Sequence, residues 1–233
     1  MDNVKLFADG ADLSCIAELA RLPHIKGFTT NPTLMHQAGI RDYRRFAQDV
    51  LKIVTDRPVS FEVFSDQFEE MERQALEIAS WGSNVYVKIP VTDTHGTPTY
   101  EVVERLSRRR VQLNVTAVLT LEQIEALSQR LAAGTPSFVS VFAGRIADTG
   151  RDPIPIMQSA AGIVRRTPGI ELIWASPREL LNIVHAAQAG CHIITLTADI
   201  LKKLPLLGKD LTEYSLETVR MFYDDACRAG YTL

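Results

Sequence analysis

Eight short apolar or β-branched runs recur along the chain: 5–9, 25–30, 59–64, 85–89, 111–118, 137–144, 170–175 and 192–198. Stretches with helical periodicity separate them. In "DQFEEMERQALEIAS", Phe68, Met71, Ala75 and Ile78 fall three and four residues apart. Strands that alternate with helices predict a parallel sheet, because a crossover must return the chain before each new strand. Eight such units match a closed (β/α)8 TIM barrel. A length of 233 residues suits one such barrel as a single domain, 1–233, with the barrel over about 4–210. The rival is an open doubly wound sheet. The first turn, "FADGADL", lacks G-x-G-x-x-G, so nothing supports a dinucleotide site. Residues 212–228 read as an additional C-terminal helix, whose stripe of Leu216, Val219, Phe222 and Tyr223 must be buried on the barrel or on another subunit.

Local signals set some helix ends. Asp66 with Glu69, and Thr120 with Gln123, are spaced as capping boxes. Gly134 is placed as a stop for the helix that Thr120 opens. In "SPRE", Ser176 is expected as an N-cap, with Pro177 at the first helical position and Glu179 at the third.

Charge narrows the partners. A formal net charge of −3 gives no electrostatic case for nucleic acid or an acidic membrane. The basic cluster "RLSRRR" (105–110) ends a helix, where cations complement the macrodipole. Three cysteines without C-x-x-C spacing fit a reducing compartment, so a cytoplasmic protein is expected. The start carries acids and no apolar h-region, and no apolar run approaches the ~18 residues of a membrane span. The five histidines show no metal-ligand pairing on a helix face.

Function is carried by the strand ends. In a barrel of this kind catalytic groups sit at the C-terminal ends of the strands. Those ends read Asp9; Thr29, Thr30 and Asn31; Glu62; Lys88; Asn114 and Thr116; Ser140, Phe142 and Arg145; Ser176 and Arg178; Thr195 and Thr197. An apolar core does not call for so many polar groups, because burying them unpaired is costly. A wet pocket at one end of the barrel does. Lys88, set inside "NVYVKIPVT", is the sharpest case. A poorly solvated lysine has its pKa lowered, and its neutral amine can form a Schiff base with a carbonyl. The plainer reading is an ammonium that snorkels to the rim or pairs with Asp9 or Glu62.

The segments "LFADGAD", "GFTTNPTLM", "VYVKIPVT", "LNVTAVLT", "VSVFAGRIADTG" and "WASPREL…AAQAGCHIITL" resemble, in order, the successive motifs of the transaldolase family. They are closest to its short-chain branch, which includes the fructose-6-phosphate aldolases. The resemblance runs from about residue 4 to 204. It implies class I chemistry with no metal or organic cofactor. Lys88 is then the Schiff-base lysine and Asp9 the acid–base carboxylate. Glu62 and Thr116 hold a water for proton relay. Asn31 and Asn114 orient the dihydroxyacetone unit, and Ser140 lines the same pocket. Arg145, Ser176 and Arg178 form the phosphate site, with a helix N-terminus beside it.

Two positions separate the branches. Glu62 and Phe142 match transaldolases, whereas the aldolases carry an amide and a tyrosine there. The expected reaction is therefore transfer of a dihydroxyacetone unit from a ketose phosphate, fructose 6-phosphate or sedoheptulose 7-phosphate, to an aldose phosphate. The alternatives are an aldolase that releases dihydroxyacetone and a non-catalytic sugar-phosphate-binding barrel. The sequence departs from the family pattern at Gly10, where Thr or Ser is common, at Pro177, and in "VSVF" before Phe142. By resemblance the chain forms a homo-oligomer, a pentamer or decamer, through its C-terminal helix.

Overall fold

The computed structural model describes residues 4–232. The chain divides after Leu201 into two compact units. The first contains β1 (Lys5–Asp9), α1 (Leu13–Ala20), β2 (Ile25–Thr29), α2 (Pro32–Gln37), α3 (Tyr43–Ile53), β3 (Val59–Glu62) and α4 (Phe68–Ala79). It continues with β4 (Val85–Pro90), α5 (Tyr100–Arg108), β5 (Leu113–Val118), α6 (Leu121–Arg130), β6 (Ser137–Val141), α7 (Ala143–Asp148) and α8 (Ile154–Val164). It ends with β7 (Ile170–Trp174), α9 (Leu181–Gln188), β8 (Ile193–Thr197) and α10 (Ala198–Leu201). The eight strands are parallel and close in sequence order, β8 pairing with β1. All eight expected strands are present, with ends shifted by a few residues.

The barrel interior is built in layers by the two-residue period of its strands. Phe7, Tyr86, Phe138, Ile173 and Ile193 form a buried floor. The Tyr86 and Phe138 rings stack at 4.0 Å, and Phe7 meets Phe138 edge-on at 5.7 Å. Gly27 makes room for this layer, since a Cβ there would lie 2.5 Å from the Phe7 ring. Two residues further along the same strands stand Asp9, Lys88, Ser140, Ala175 and Thr195, all of which line one cavity. The aromatic floor therefore fixes the depth of the polar layer above it.

Outside the barrel, apolar helix faces cover the strands. Met71, Ala75 and Ile78 of α4 are buried, as their spacing predicts. Thr120 and Gln123 form the expected capping box on α6. The Asp66–Glu69 box does not form. Here α4 starts one residue later, after Gln67, and the Asp66 carboxylate instead accepts from the Thr94 amide and hydroxyl at 2.7 and 2.6 Å. Gly134 does not stop α6, which ends at Arg130 with Leu131 extended; Gly134 lies in the following loop with φ of 77°. The basic cluster closes α5, and both Arg105 and Arg109 face Glu72.

The second unit contains a short 3₁₀ turn (Leu204–Leu206) and α11 (Leu211–Ala229). The Asp210 carboxylate accepts from the Thr212 and Glu213 amides, and Gly230 ends the helix at φ of 67°. Leu216, Val219, Phe222 and Tyr223 are exposed. No helix among the described residues is long and apolar enough to cross a membrane.

Candidate active site

A cavity of about 520 Å³ opens at the C-terminal ends of the strands. Its wall includes Asp9, Asn31, Glu62, Lys88, Thr116, Ser140, Phe142, Arg145 and Ser176. Nine of the eleven residues that the resemblance marks for the site are thus brought together.

Lys88 is the most buried lysine or arginine among the described residues, 6% exposed. Register places Glu62 of β3 beside Lys88 of β4, and Lys88 beside Asn114 of β5. The Lys88 ammonium donates to the Thr30 carbonyl at 2.8 Å and lies 3.1 Å from a Glu62 oxygen. A buried ammonium needs such partners. The snorkelling alternative is thereby set aside, while the pairing with Glu62 stands. Glu62 is held in turn through its backbone, whose carbonyl accepts from the Tyr43 hydroxyl at 2.7 Å.

Asp9 ends β1. Burial pushes its carboxyl pKa above the ordinary aspartate value, Lys88 and the Thr29 hydroxyl bond pull it down, and Glu62 pushes it up. The Thr29 hydroxyl donates to Asp9 at 2.7 Å and lies 2.6 Å from the Thr195 hydroxyl. The sequence marked both threonines as polar strand-end residues but gave them no role. The two-residue step from Gly27 to Thr29 and from Ile193 to Thr195 was the available signal.

The Thr116 hydroxyl is buried and has no hydrogen-bond partner. An orphaned polar atom on a cavity wall suits a water or substrate oxygen. Ala117, next along β5, has φ of 59°, and the β5–β6 register shifts between Val115 and Val118. This local irregularity belongs to the cavity wall, since Ala117 also lines it.

Asn114 lies behind the wall rather than on it. It is fully buried, donates to the Ser60 hydroxyl at 3.0 Å and accepts from the Ser140 hydroxyl at 2.7 Å. Both sides of its amide are therefore engaged. Asn31 lines the cavity and caps α2, its side-chain oxygen accepting from the Leu34 amide at 2.9 Å.

The expected phosphate corner is only partly assembled. Arg145 lines the cavity and packs over the Phe142 ring at 5.2 Å. Arg178 does not line it; its guanidinium is paired two-fold with the Asp148 carboxylate. Ser176 is not an N-cap. It has φ of 58°, and α9 begins only at Leu181. The amides of Arg178 and Glu179 are taken by the Asn182 side-chain oxygen at 2.7 and 3.2 Å, so no helix N-terminus stands free there. The Asn182 side chain thus takes the amides that Ser176 was expected to cap. The turn also packs closely on Gly144, where a Cβ would come within 1.6 Å of the Ser176 carbonyl oxygen. Among the described residues, no group of three or more His, Cys, Asp or Glu side chains is placed to hold a metal ion.

The C-terminal mouth of a parallel (β/α)8 barrel here holds a buried lysine paired with one carboxylate and a second carboxylate in the same cavity, the place and the kind of residues that barrel enzymes use. The model of the family described as transaldolase/fructose-6-phosphate aldolase matches residues 6–232, and the chain belongs to that family. It is 34% identical over 203 residues to a "Probable transaldolase" of Dehalococcoides mccartyi, covering 86% of this chain and 90% of the relative. It is 36% identical over 222 residues to a protein of the same description from Streptococcus agalactiae, covering 95% and 98%. A third, from Desulforudis audaxviator, is 36% identical over 227 residues, covering 97% and 98%. The chain is a transaldolase-type enzyme.

Proposed function

We propose that the enzyme transfers a dihydroxyacetone unit from a ketose phosphate to an aldose phosphate through a Schiff base on Lys88. The observation that carries this reading is the amine itself, 6% exposed and shared between the Thr30 carbonyl and the Glu62 carboxylate inside a polar cavity.

The chemistry follows from the neighbours. Glu62 touches the ammonium and is the base placed to take its proton, freeing the lone pair for the ketose carbonyl. Loss of water gives the protonated imine. Asp9 then removes the proton from the hydroxyl beside the scissile bond. The bonding electrons flow into the imine, the aldose leaves, and the three-carbon enamine stays on Lys88. An incoming aldehyde accepts the enamine carbon, Asp9 returns its proton, and water releases the new ketose. Water held at the Thr116 hydroxyl serves the hydration and proton-relay steps. Asn31 and Ser140 orient the three-carbon unit, with Asn114 setting Ser140 from behind. Arg145 meets the phosphate, and Arg178 joins it by leaving Asp148.

Two features favour transfer over release. Glu62 offers a carboxylate at the relay position. Phe142 has no hydroxyl to hold a water over the enamine. The substrates are fructose 6-phosphate or sedoheptulose 7-phosphate as donor, with a short aldose phosphate as acceptor. An assembly of identical chains through the exposed stripe of α11 belongs to the same reading.

The test is acceptor dependence. With fructose 6-phosphate, glyceraldehyde 3-phosphate should appear in quantity only when erythrose 4-phosphate is added. Steady release of dihydroxyacetone without acceptor would mean an aldolase, and binding of the donor with no turnover would mean a silent barrel.

A further inference from the structure

We propose that Thr195 is a positioning residue for Asp9, acting through Thr29 in a one-way chain of hydroxyls. The chain fixes one carboxylate oxygen as an acceptor and leaves the other to exchange the proton. Thr29 Oγ1 lies 2.7 Å from Asp9 Oδ1 and 2.6 Å from Thr195 Oγ1. A hydroxyl carries a single proton, and an ionised carboxylate only accepts. The Thr29 proton therefore goes to Asp9, and the Thr29 oxygen must accept the Thr195 proton. With Asp9 ionised, the direction Thr195 to Thr29 to Asp9 follows from this count.

The fold builds the chain from three neighbouring strands. Asp9 of β1 pairs in register with Thr29 of β2, and closure of the barrel brings β8 against β1, with Thr195 opposite Phe7. Thr29 and Thr195 are 3% and 5% exposed, which leaves little access for water to replace either hydroxyl. Thr195 also lines the cavity, one strand away from the carboxylate. When Asp9 takes the substrate proton, Oδ1 is already engaged as an acceptor, so the proton settles on Oδ2.

The other ionisable groups around Asp9 do not duplicate this. Lys88 and Glu62 share the cavity and act in opposite senses on the carboxylate. Asp12, Cys15 and Asp199 line the adjoining cavity on the far side of Asp9. Among the described residues, the hydroxyl chain alone bonds the carboxylate directly and points a donor at it.

The inference rests on the acid–base role of Asp9 proposed above, and the experiment separates the two. Protein labelled with ¹³C at the aspartate carboxyls is titrated without substrate, the Asp9 signal being the one absent from Asp9→Asn. In Thr195→Val the Asp9 titration should move upward by about half a pH unit. The acid limb of kcat should move with it, and kcat should fall about fivefold. The donor KM should stay within about twofold, and Thr195→Ser should restore both readouts. Thr195→Ala serves as the second variant if valine disturbs the barrel. An unmoved Asp9 titration with wild-type kcat in both overturns the proposal. Full cleavage activity in Asp9→Asn overturns the Asp9 assignment instead, and leaves the titration result to judge the chain.

Discussion

The Lys88 ammonium and the Glu62 carboxylate face each other at 3.1 Å, with both side chains largely buried. Adjacent parallel strands impose this pairing, since Glu62 and Lys88 are register partners. A buried ion pair is weak evidence for stability, because desolvation offsets much of the attraction. Here it holds the amine in contact with the carboxylate that the proposed mechanism uses as its base, on the wall of one cavity. Glu62→Gln keeps the shape and removes the base. Its kcat should fall by about 10²-fold or more, with KM little changed. A steady-state comparison with wild type checks this.

On the proposed mechanism, Asp9 should govern the acid side of the pH profile. Its folded pKa is raised, chiefly by burial. Cleavage needs the ionised form, so activity should be lost on acidification at a pH above the ordinary aspartate range. The stability sign is opposite. A raised folded pKa contributes stability at low pH that disappears as pH rises through that pKa. Asp9→Asn should therefore be more stable than wild type at neutral pH, with the gap closing toward acid. Urea melts at several pH values read this directly.

The two arginines should not behave alike. Arg145 lines the cavity, whereas Arg178 starts out paired with Asp148. Arg145→Ala should raise the donor KM by roughly 10- to 100-fold, the range for losing a hydrogen bond to a charged group, with a smaller change in kcat. Arg178→Ala should raise KM less, because binding must first draw that side chain from Asp148. Equal effects would place the phosphate differently.

Gly144→Ala tests the turn that carries Ser176. The added methyl would sit 1.6 Å from the Ser176 carbonyl oxygen, and backbone must move to relieve it. A cost of about 3 kcal/mol is expected, at the upper end for overpacking. Thermal melting gives the stability loss. The donor KM should rise as Ser176 and Arg145 shift.

The stripe on α11 predicts assembly. Leu216, Val219, Phe222 and Tyr223 are exposed and large. The native mass of the full chain should be a multiple of the single chain, and truncation after Lys209 should lower it. An unchanged mass after truncation would count against this helix as the contact.

Much of this architecture was legible from residue type alone. Short apolar or β-branched runs located all eight strands, and polar residues at their ends located the cavity. Thr120 and Gln123 gave a true capping box because their competition is local. Asp66 misled because Thr94, 28 residues away in sequence, supplied better donors. Ser176 misled for the same kind of reason. The "SPRE" pattern is a sound helix start, but the Asn182 side chain takes the Arg178 and Glu179 amides that Ser176 would have capped. Arg178 carried no sign that Asp148 would hold it. The Thr29–Thr195 contact exists only because the barrel closes β8 on β1, which no local pattern encodes.

The most direct measurement is borohydride trapping with fructose 6-phosphate, read by intact mass and peptide mapping. A reduced three-carbon adduct on the peptide containing Lys88, absent from Lys88→Ala, is the predicted result. It would show both the imine and the cleaved carbon–carbon bond. Full activity in Lys88→Ala, or an adduct on a different lysine, would contradict the account.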